Sequence, residues 1–254
     1  QLRGGVSVSP EGEPDIPVAE PVLAAVQGAL RGGKTRYSQS SGLPELRAAI
    51  AKKLREENGV SAVPEDVLVT NGAKQALYTA LQALVGPGDE VLVPGPCWVT
   101  FPEAVKLAGA EPVLVPTKRG RPDPEAFSRM VNARTRAILI NTPNNPTGAV
   151  YNKEELEALV ELAGRRGLWL ISDEAYERLV FDGRTHISLA SLGPKAAERT
   201  VTVQTFSKSF SMTGFRVGYL AGPRAVVEAA ARIHGHVTGN VCTFAQAGGL
   251  AALE

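Results

Sequence analysis

Lys208 stands between two serines in Thr205-Phe206-Ser207-Lys208-Ser209, just past the alternating run Val201-Thr202-Val203. Arg216 follows eight residues later, ahead of a second strand-like run, Val217-Gly218-Tyr219-Leu220. A lysine that bonds a carbonyl as a Schiff base must be held at a sheet edge, partly desolvated, with its amine deprotonated. Hydroxyls and a guanidinium beside it suit a phosphate-bearing ligand. An isolated lysine is usually solvated, and it is this setting that argues for a reactive one.

Other polar groups fall at comparable places. Asp173 ends the run Leu170-Ile171-Ser172, where an aspartate taken alone reads as a turn or cap residue. Gly72-Ala73-Lys74 opens a helix after a strand, and the free N–H groups of such a turn bind anions without any side chain. Asn144-Asn145-Pro146-Thr147-Gly148 has turn composition. Its Asn-Pro bond and Thr142-Pro143 are candidates for cis peptides.

These groups need a scaffold, and the chain supplies alternating elements. After a Pro- and Gly-rich start with a helical stretch from about Val18 to Leu30, Leu43-Pro44-Glu45-Leu46-Arg47 opens a helix that Asn58-Gly59 closes. From Asp66 onward short apolar runs alternate with helical segments. Val67–Val69, Glu90–Val93, Pro112–Val115, Ala137–Ile140 and Leu168–Ile171 read as strands; about Ala73–Val85, Phe101–Leu107 and Lys153–Arg166 read as helices. Asn152 with Glu155 forms a capping pair and Gly167 a stop. A further helical segment follows Asn240. The pattern predicts a three-layer α/β/α fold with a mostly parallel sheet. Ligands on such sheets bind beyond the carboxyl ends of the strands, where Asn71–Lys74, Asn141–Gly148, Asp173–Tyr176 and Lys208 all fall.

Composition narrows the class. The 254 residues are 44% hydrophobic and 21% charged with net charge +1, an ordinary globular balance that gives no argument for nucleic acid or an anionic membrane. Lys52, Lys53 and Arg55, interleaved with Glu56 and Glu57, read as a solvated helix face. Cys97 and Cys242 make neither a disulfide framework nor a metal-type spacing, and a reducing cytoplasm is the default. No apolar run approaches the ~18 residues of a membrane span. The three histidines, His186, His234 and His236, fit no motif and read as structural or surface residues.

Taken together, the stretch around Lys208, Asp173-Glu174-Ala175-Tyr176, the Asn144–Gly148 loop and the Gly72 turn resemble the class I/II aminotransferases, pyridoxal-phosphate enzymes of fold type I. The resemblance runs from about Gly12 to the end of the chain. It implies that Lys208 carries pyridoxal 5′-phosphate as a Schiff base and shuttles the proton, that Asp173 faces the ring nitrogen, and that Tyr176 and Asn145 face the ring oxygen. It implies further that Gly72, Ala73, Lys74, Thr205 and Arg216 hold the phosphate and that Trp98 stacks on the ring. Tyr37, in Tyr37-Ser38-Gln39-Ser40-Ser41-Gly42, resembles a segment that reaches the other subunit's phosphate, so a homodimer with shared sites is implied. Gly12 then lines the substrate side together with Trp98 and Asn145. The implied division is an N-terminal segment, 1–35, and a cofactor-binding large domain, 36–254.

The implied reaction moves an amino group between an amino acid and a 2-oxo acid. Two other readings stay open: a C–S β-lyase on the same residues, distinguished by release of pyruvate and ammonia, and the aminotransferase-like effector domain of a transcription regulator. In the family a small C-terminal domain carries an arginine that clamps the substrate carboxylate. Nothing here matches it, and the chain starts Gln1-Leu2-Arg3 without an initiator Met. The expectation is a large-domain portion of a longer enzyme, slow or inactive alone.

Overall fold

Seven apolar runs form one sheet in the computed structural model, which describes residues 12–254. Helices α1 (Glu20–Arg31) and α2 (Pro44–Glu56) lead to strand β1 (Val67–Thr70). Then α3 (Gly72–Leu84), β2 (Glu90–Gly95), α4 (Thr100–Leu107), β3 (Glu111–Pro116), α5 (Pro124–Met130), β4 (Thr135–Asn141), α6 (Lys153–Arg166) and β5 (Trp169–Asp173) follow. After them come a short α7 (Pro194–Ala197), β6 (Thr200–Thr205), α8 (Phe206–Ser209), β7 (Gly218–Ala221), α9 (Arg224–Val237) and α10 (Thr243–Leu253).

The strand order is β1-β7-β6-β5-β4-β2-β3, and β7 alone runs against the others. Ala137, Leu139, Ile171 and Val203 face α3, α4 and α9, whereas Ile138, Ile140 and Leu170 face α5 and α6. Both faces are covered, which is why these strands read as unbroken apolar runs. At the β1/β7 end the second face is closed by α2 and α10, with Val22 of α1 in the same cluster. The three-layer α/β/α arrangement is therefore as the periodicity predicts.

Local signals account for several boundaries. Asn152 accepts from Glu155 N–H at 2.9 Å while Glu155 accepts from Asn152 N–H at 2.8 Å, the reciprocal pair that starts α6. Gly167 ends α6 at φ 68°, a left-handed position that favours glycine. The Gly95–Pro96, Thr142–Pro143 and Asn145–Pro146 bonds are cis.

One expectation fails. Lys53 is not on a solvated face: it is buried and paired with Glu177, itself buried, while Lys52 stays exposed. Charge interleaving along the chain reports a helix surface only if nothing packs on it, and Lys53 lies on the side of α2 that meets Glu177. Of the histidines, His186 has a buried side chain beside Glu174, His234 is buried and His236 is exposed. The segment expected at 1–35 lies partly outside the described residues, at 1–11. No helix among the described residues is long and apolar enough to cross a membrane.

Candidate active site

The carboxyl ends of β1, β4, β5 and β6 lie along one edge. Because β7 is antiparallel, its beginning lies there too, with Gly218 opposite both Thr70 and Thr205. Asn71, Asn141, Asp173 and Thr205 thus reach the same edge as Arg216, which precedes β7. Gly218 is required for this approach: a Cβ there would sit 2.6 Å from Gly72 C and 2.7 Å from Ala73 N.

Lys208 lies in α8, one turn beyond β6. Thr205 caps that turn, its Oγ1 accepting from Ser207 N–H at 3.1 Å and lying 2.9 Å from Ser207 Oγ. Lys208 Nζ donates to Gly12 O at 2.9 Å, so the chain's early segment reaches the lysine. Burial pushes the Lys208 amine down, Glu13 opposes that and Arg216 adds to it. Glu13 is itself held by Thr213 Oγ1 at 2.6 Å.

Asp173 is 4% exposed, and among the described residues its side chain accepts one hydrogen bond, from Ala175 N–H at 3.1 Å. Burial pushes its carboxyl up to about 7; the Ala175 bond works against this, and the Glu174 charge adds to it. No cation pairs with it among the described residues. Tyr176 follows in the same turn, and its OH accepts from Asn145 Nδ2 at 3.2 Å. Burial raises the Tyr176 phenol, the Asn145 bond lowers it, and Asp173 raises it. Asn141 links the two strand ends: its Oδ1 accepts from Asn145 N–H at 2.7 Å and its Nδ2 donates to Asp173 O at 3.0 Å.

Gly72 (φ 75°) begins α3, and Arg216 (φ 54°) faces it. A Cβ on Gly72 would lie 2.5 Å from Arg216 Nη2, so the guanidinium and the free N–H groups of α3 share one concave site. Arg216 Nη1 is fixed by Thr213 O at 2.9 Å. A helix N-terminus with a guanidinium across from it suits a phosphate. The Lys74 ammonium lies 5.0 Å from the Trp98 ring centroid, and Trp98 meets Phe101 edge-on at 5.5 Å.

Of the residues expected in the site, Lys208, Asp173, Tyr176, Asn145, Thr205, Gly72, Ala73 and Arg216 share this edge, Gly12 reaches it through Lys208, and Lys74 and Trp98 pack on each other beside it. Tyr37 is 96% exposed and meets none of them within the chain. Sequence reasoning placed Asn141 and Ser207 in the right segments without giving either a role, and missed Thr213 and Glu13. Asn141 had a visible signal, a polar residue ending an apolar strand; Glu13 and Thr213 are 200 residues apart and had none.

The family described as aminotransferase class I and II matches residues 10–254. Similar proteins include the aspartate/prephenate aminotransferase of Thermus thermophilus, 47% identical over 95% of this chain and 63% of that protein. The probable aspartate/prephenate aminotransferase of Aquifex aeolicus is 45% identical over 96% of the chain and 62% of its own length. The aspartate aminotransferase of Thermus thermophilus solved with maleate superposes with a TM-score of 0.92 at 47% identity, over 95% of this chain and 63% of that one. An aromatic aminotransferase from Pyrococcus horikoshii gives 0.93 at 40%, over 96% and 66%. The chain spans a little over three fifths of the length of these relatives. With the family model matching residues 10–254 and solved relatives sharing the fold of the described residues, the chain belongs to the class I and II aminotransferase family.

Proposed function

We propose that this chain is the pyridoxal 5′-phosphate-binding part of an aminotransferase that moves an amino group between an amino acid and a 2-oxo acid. The observation that carries the reading is Asp173. A buried carboxylate with one hydrogen bond and no cation is stabilised by any positive partner brought against it, and a protonated pyridine nitrogen is such a partner. The cradle of Gly72 and Arg216 suits a phosphate, so the residues present fit both ends of the group.

Bound pyridoxal 5′-phosphate supplies an aldehyde and an electron-withdrawing ring that draws charge from the substrate's α-carbon. Asp173, once ionised, would face the ring nitrogen and favour its protonated form. Asn145 orients the Tyr176 hydroxyl, and the pair would hold the ring oxygen. The first N–H groups of α3, Arg216 and Thr205 would hold the phosphate, and Trp98 would cover the ring. Lys208 is the group that would bond the aldehyde. Its amine, pushed down by burial, is poised to take the proton from the substrate's α-carbon.

The names of the relatives point to aspartate and prephenate as the first substrates to try. The cytoplasm is the proposed location, with residues 36–254 as the cofactor-binding domain. We propose a homodimer as well. Val99 and Leu107 are 77% and 71% exposed beside an open cavity of about 570 Å³ that reaches Asn71 and Arg216. Tyr37 of the partner subunit would enter there. Sedimentation of the holo-protein as a monomer would exclude this arrangement.

The test of the main reading is absorbance. The full chain mixed with pyridoxal 5′-phosphate should gain a visible band that aspartate perturbs, and Lys208→Ala should lose it. A band that survives the substitution would show the lysine assignment to be wrong.

A further inference from the structure

Strand β5 runs into two consecutive carboxylates that face opposite ways, because successive side chains of a strand alternate between its faces. Asp173 faces the site. Glu174 shares its face with Ser172 and is wholly buried. An ionised carboxylate there is prohibitively costly without partners, and Glu174 has a full set. Ser172 Oγ donates to Oε1 at 2.8 Å, Ser188 Oγ lies 3.0 Å from Oε1 and 2.8 Å from Oε2, and Leu189 N–H donates to Oε1 at 3.2 Å. His186 Nε2 stands 3.2 Å from Oε2. The Glu174 main chain is fixed as well, its N–H donating to Val203 O of β6 at 3.0 Å.

Glu174, Glu177 and His186 also form the one grouping of possible metal ligands among the described residues. Glu177, however, already binds the Lys53 ammonium and accepts from Asn58 Nδ2 at 2.7 Å. The arrangement is that of an internal anchor, and no step of the proposed reaction uses its carboxylate.

We propose that Glu174 is a positioning residue for the cofactor site: its carboxylate, held by Ser172, Ser188, Leu189 N–H and His186, fixes the turn that presents Asp173 and Tyr176. The inference rests on the cofactor reading above. Its geometry is direct. Glu174 lies between Asp173 and Ala175, and Ala175 N–H is the single hydrogen-bond donor to the Asp173 carboxylate among the described residues. Holding Glu174 therefore sets where that N–H points, which aims Asp173. One residue further on, Tyr176 is brought to Asn145.

A double-mutant cycle on the full chain tests this, read as affinity for pyridoxal 5′-phosphate by absorbance titration. Glu174→Gln should weaken binding about tenfold to a hundredfold, the scale of a misplaced functional group. In an Asp173→Asn background the same change should cost less than about twofold, since the residue through which it acts is already altered. Additive losses would show that Glu174 serves stability alone and would overturn the proposal. If Glu174→Gln shows no cooperative melting, Ser188→Ala takes its place in the cycle. It removes the hydroxyl that meets both carboxylate oxygens and leaves the charges intact; the same non-additive loss is expected, and additivity again overturns the proposal. A wild-type chain that takes up no pyridoxal 5′-phosphate overturns the cofactor reading and this inference with it, whereas normal uptake with an additive cycle overturns this inference only.

Discussion

At the end of β5, the Asp173 carboxylate accepts one hydrogen bond among the described residues, from the Ala175 main-chain N–H, and is pushed up to about 7 by burial. Its neighbour Glu174 is pushed up by burial too, yet His186 and then the hydroxyls of Ser188 and Ser172 hold it below its ordinary value. The two carboxylates are chain neighbours at the end of β5, both buried, and differ in what stands opposite them. A buried charge whose partners are all within the chain belongs to the architecture. A buried carboxylate that meets no cation among the described residues is incomplete, and a positive group brought against it would favour its charged form.

The sharpest way to break this contrast is to remove the anchored member. Glu174→Ala orphans His186, Ser172 and Ser188 at once, and the expected loss is roughly 3–5 kcal/mol of unfolding free energy in urea titrations. Asp173→Ala should not show a loss of that size in the cofactor-free chain, because it orphans one N–H.

Next in size is the dependence on pH. Asp173 has a raised folded pKa, so the folded chain holds a proton that the unfolded chain has released. Cofactor-free stability should therefore fall as pH rises from 3.8 to about 7, by on the order of 4 kcal/mol in all. Glu174, with a lowered folded pKa, contributes the opposite slope: its stabilisation is present above pH 4.5 and is lost as pH falls through the folded value. Urea midpoints across pH should show Asp173→Asn flattening the first limb and Glu174→Gln the second. If both substitutions flatten the same limb, the distinction between the two carboxylates is wrong.

For the proposed reaction, in whatever chain carries it out, Asp173→Asn should lower the rate on the order of 10²–10³-fold, roughly 3–4 kcal/mol of barrier, as for loss of a charge-stabilising group. An unchanged rate in a paired amino-acid and keto-acid assay would remove Asp173 from the mechanism. The smallest expected effect lies at the other end of the cofactor. Gly218→Ala drives a methyl into the backbone at Gly72 and Ala73 and should cost about 1–3 kcal/mol together with phosphate affinity. A variant that melts and binds like the wild type would mean that this close approach is not needed.

How far these features could be read in the sequence depended on the range of the interaction. Ala137–Ile140 announced a strand covered on both faces, and Asn152 with Glu155 announced a helix start, because each is decided within a few residues. Lys208, Asp173 and Asn145 were legible because each follows an apolar run at a strand end. Lys53 was misread because its partner Glu177 is 124 residues away and nothing in the local charge pattern points to it. Glu174 escaped notice as an anchor for a related reason: its ties to Ser188 and His186 arise where the 186–189 segment folds back on β5. The reversal of β7 was not foreseen either, since a short apolar run carries no sign of its direction. Helices α5 and α9 were passed over, the first having only 7 residues in which to show a period.

That reversal has a consequence for how the site assembles. The chain leaves the sheet edge at Lys208 and returns to it at Arg216, eight residues later. One connection would therefore carry both the proposed covalent and the proposed ionic grip on the ligand, and closing so short a loop costs little chain entropy. Asn145 and Tyr176 must meet across 31 residues. The proposed grips on the aldehyde and on the neighbouring phosphate arm are thus set by local closure, while the proposed contact to the ring oxygen waits on longer-range pairing.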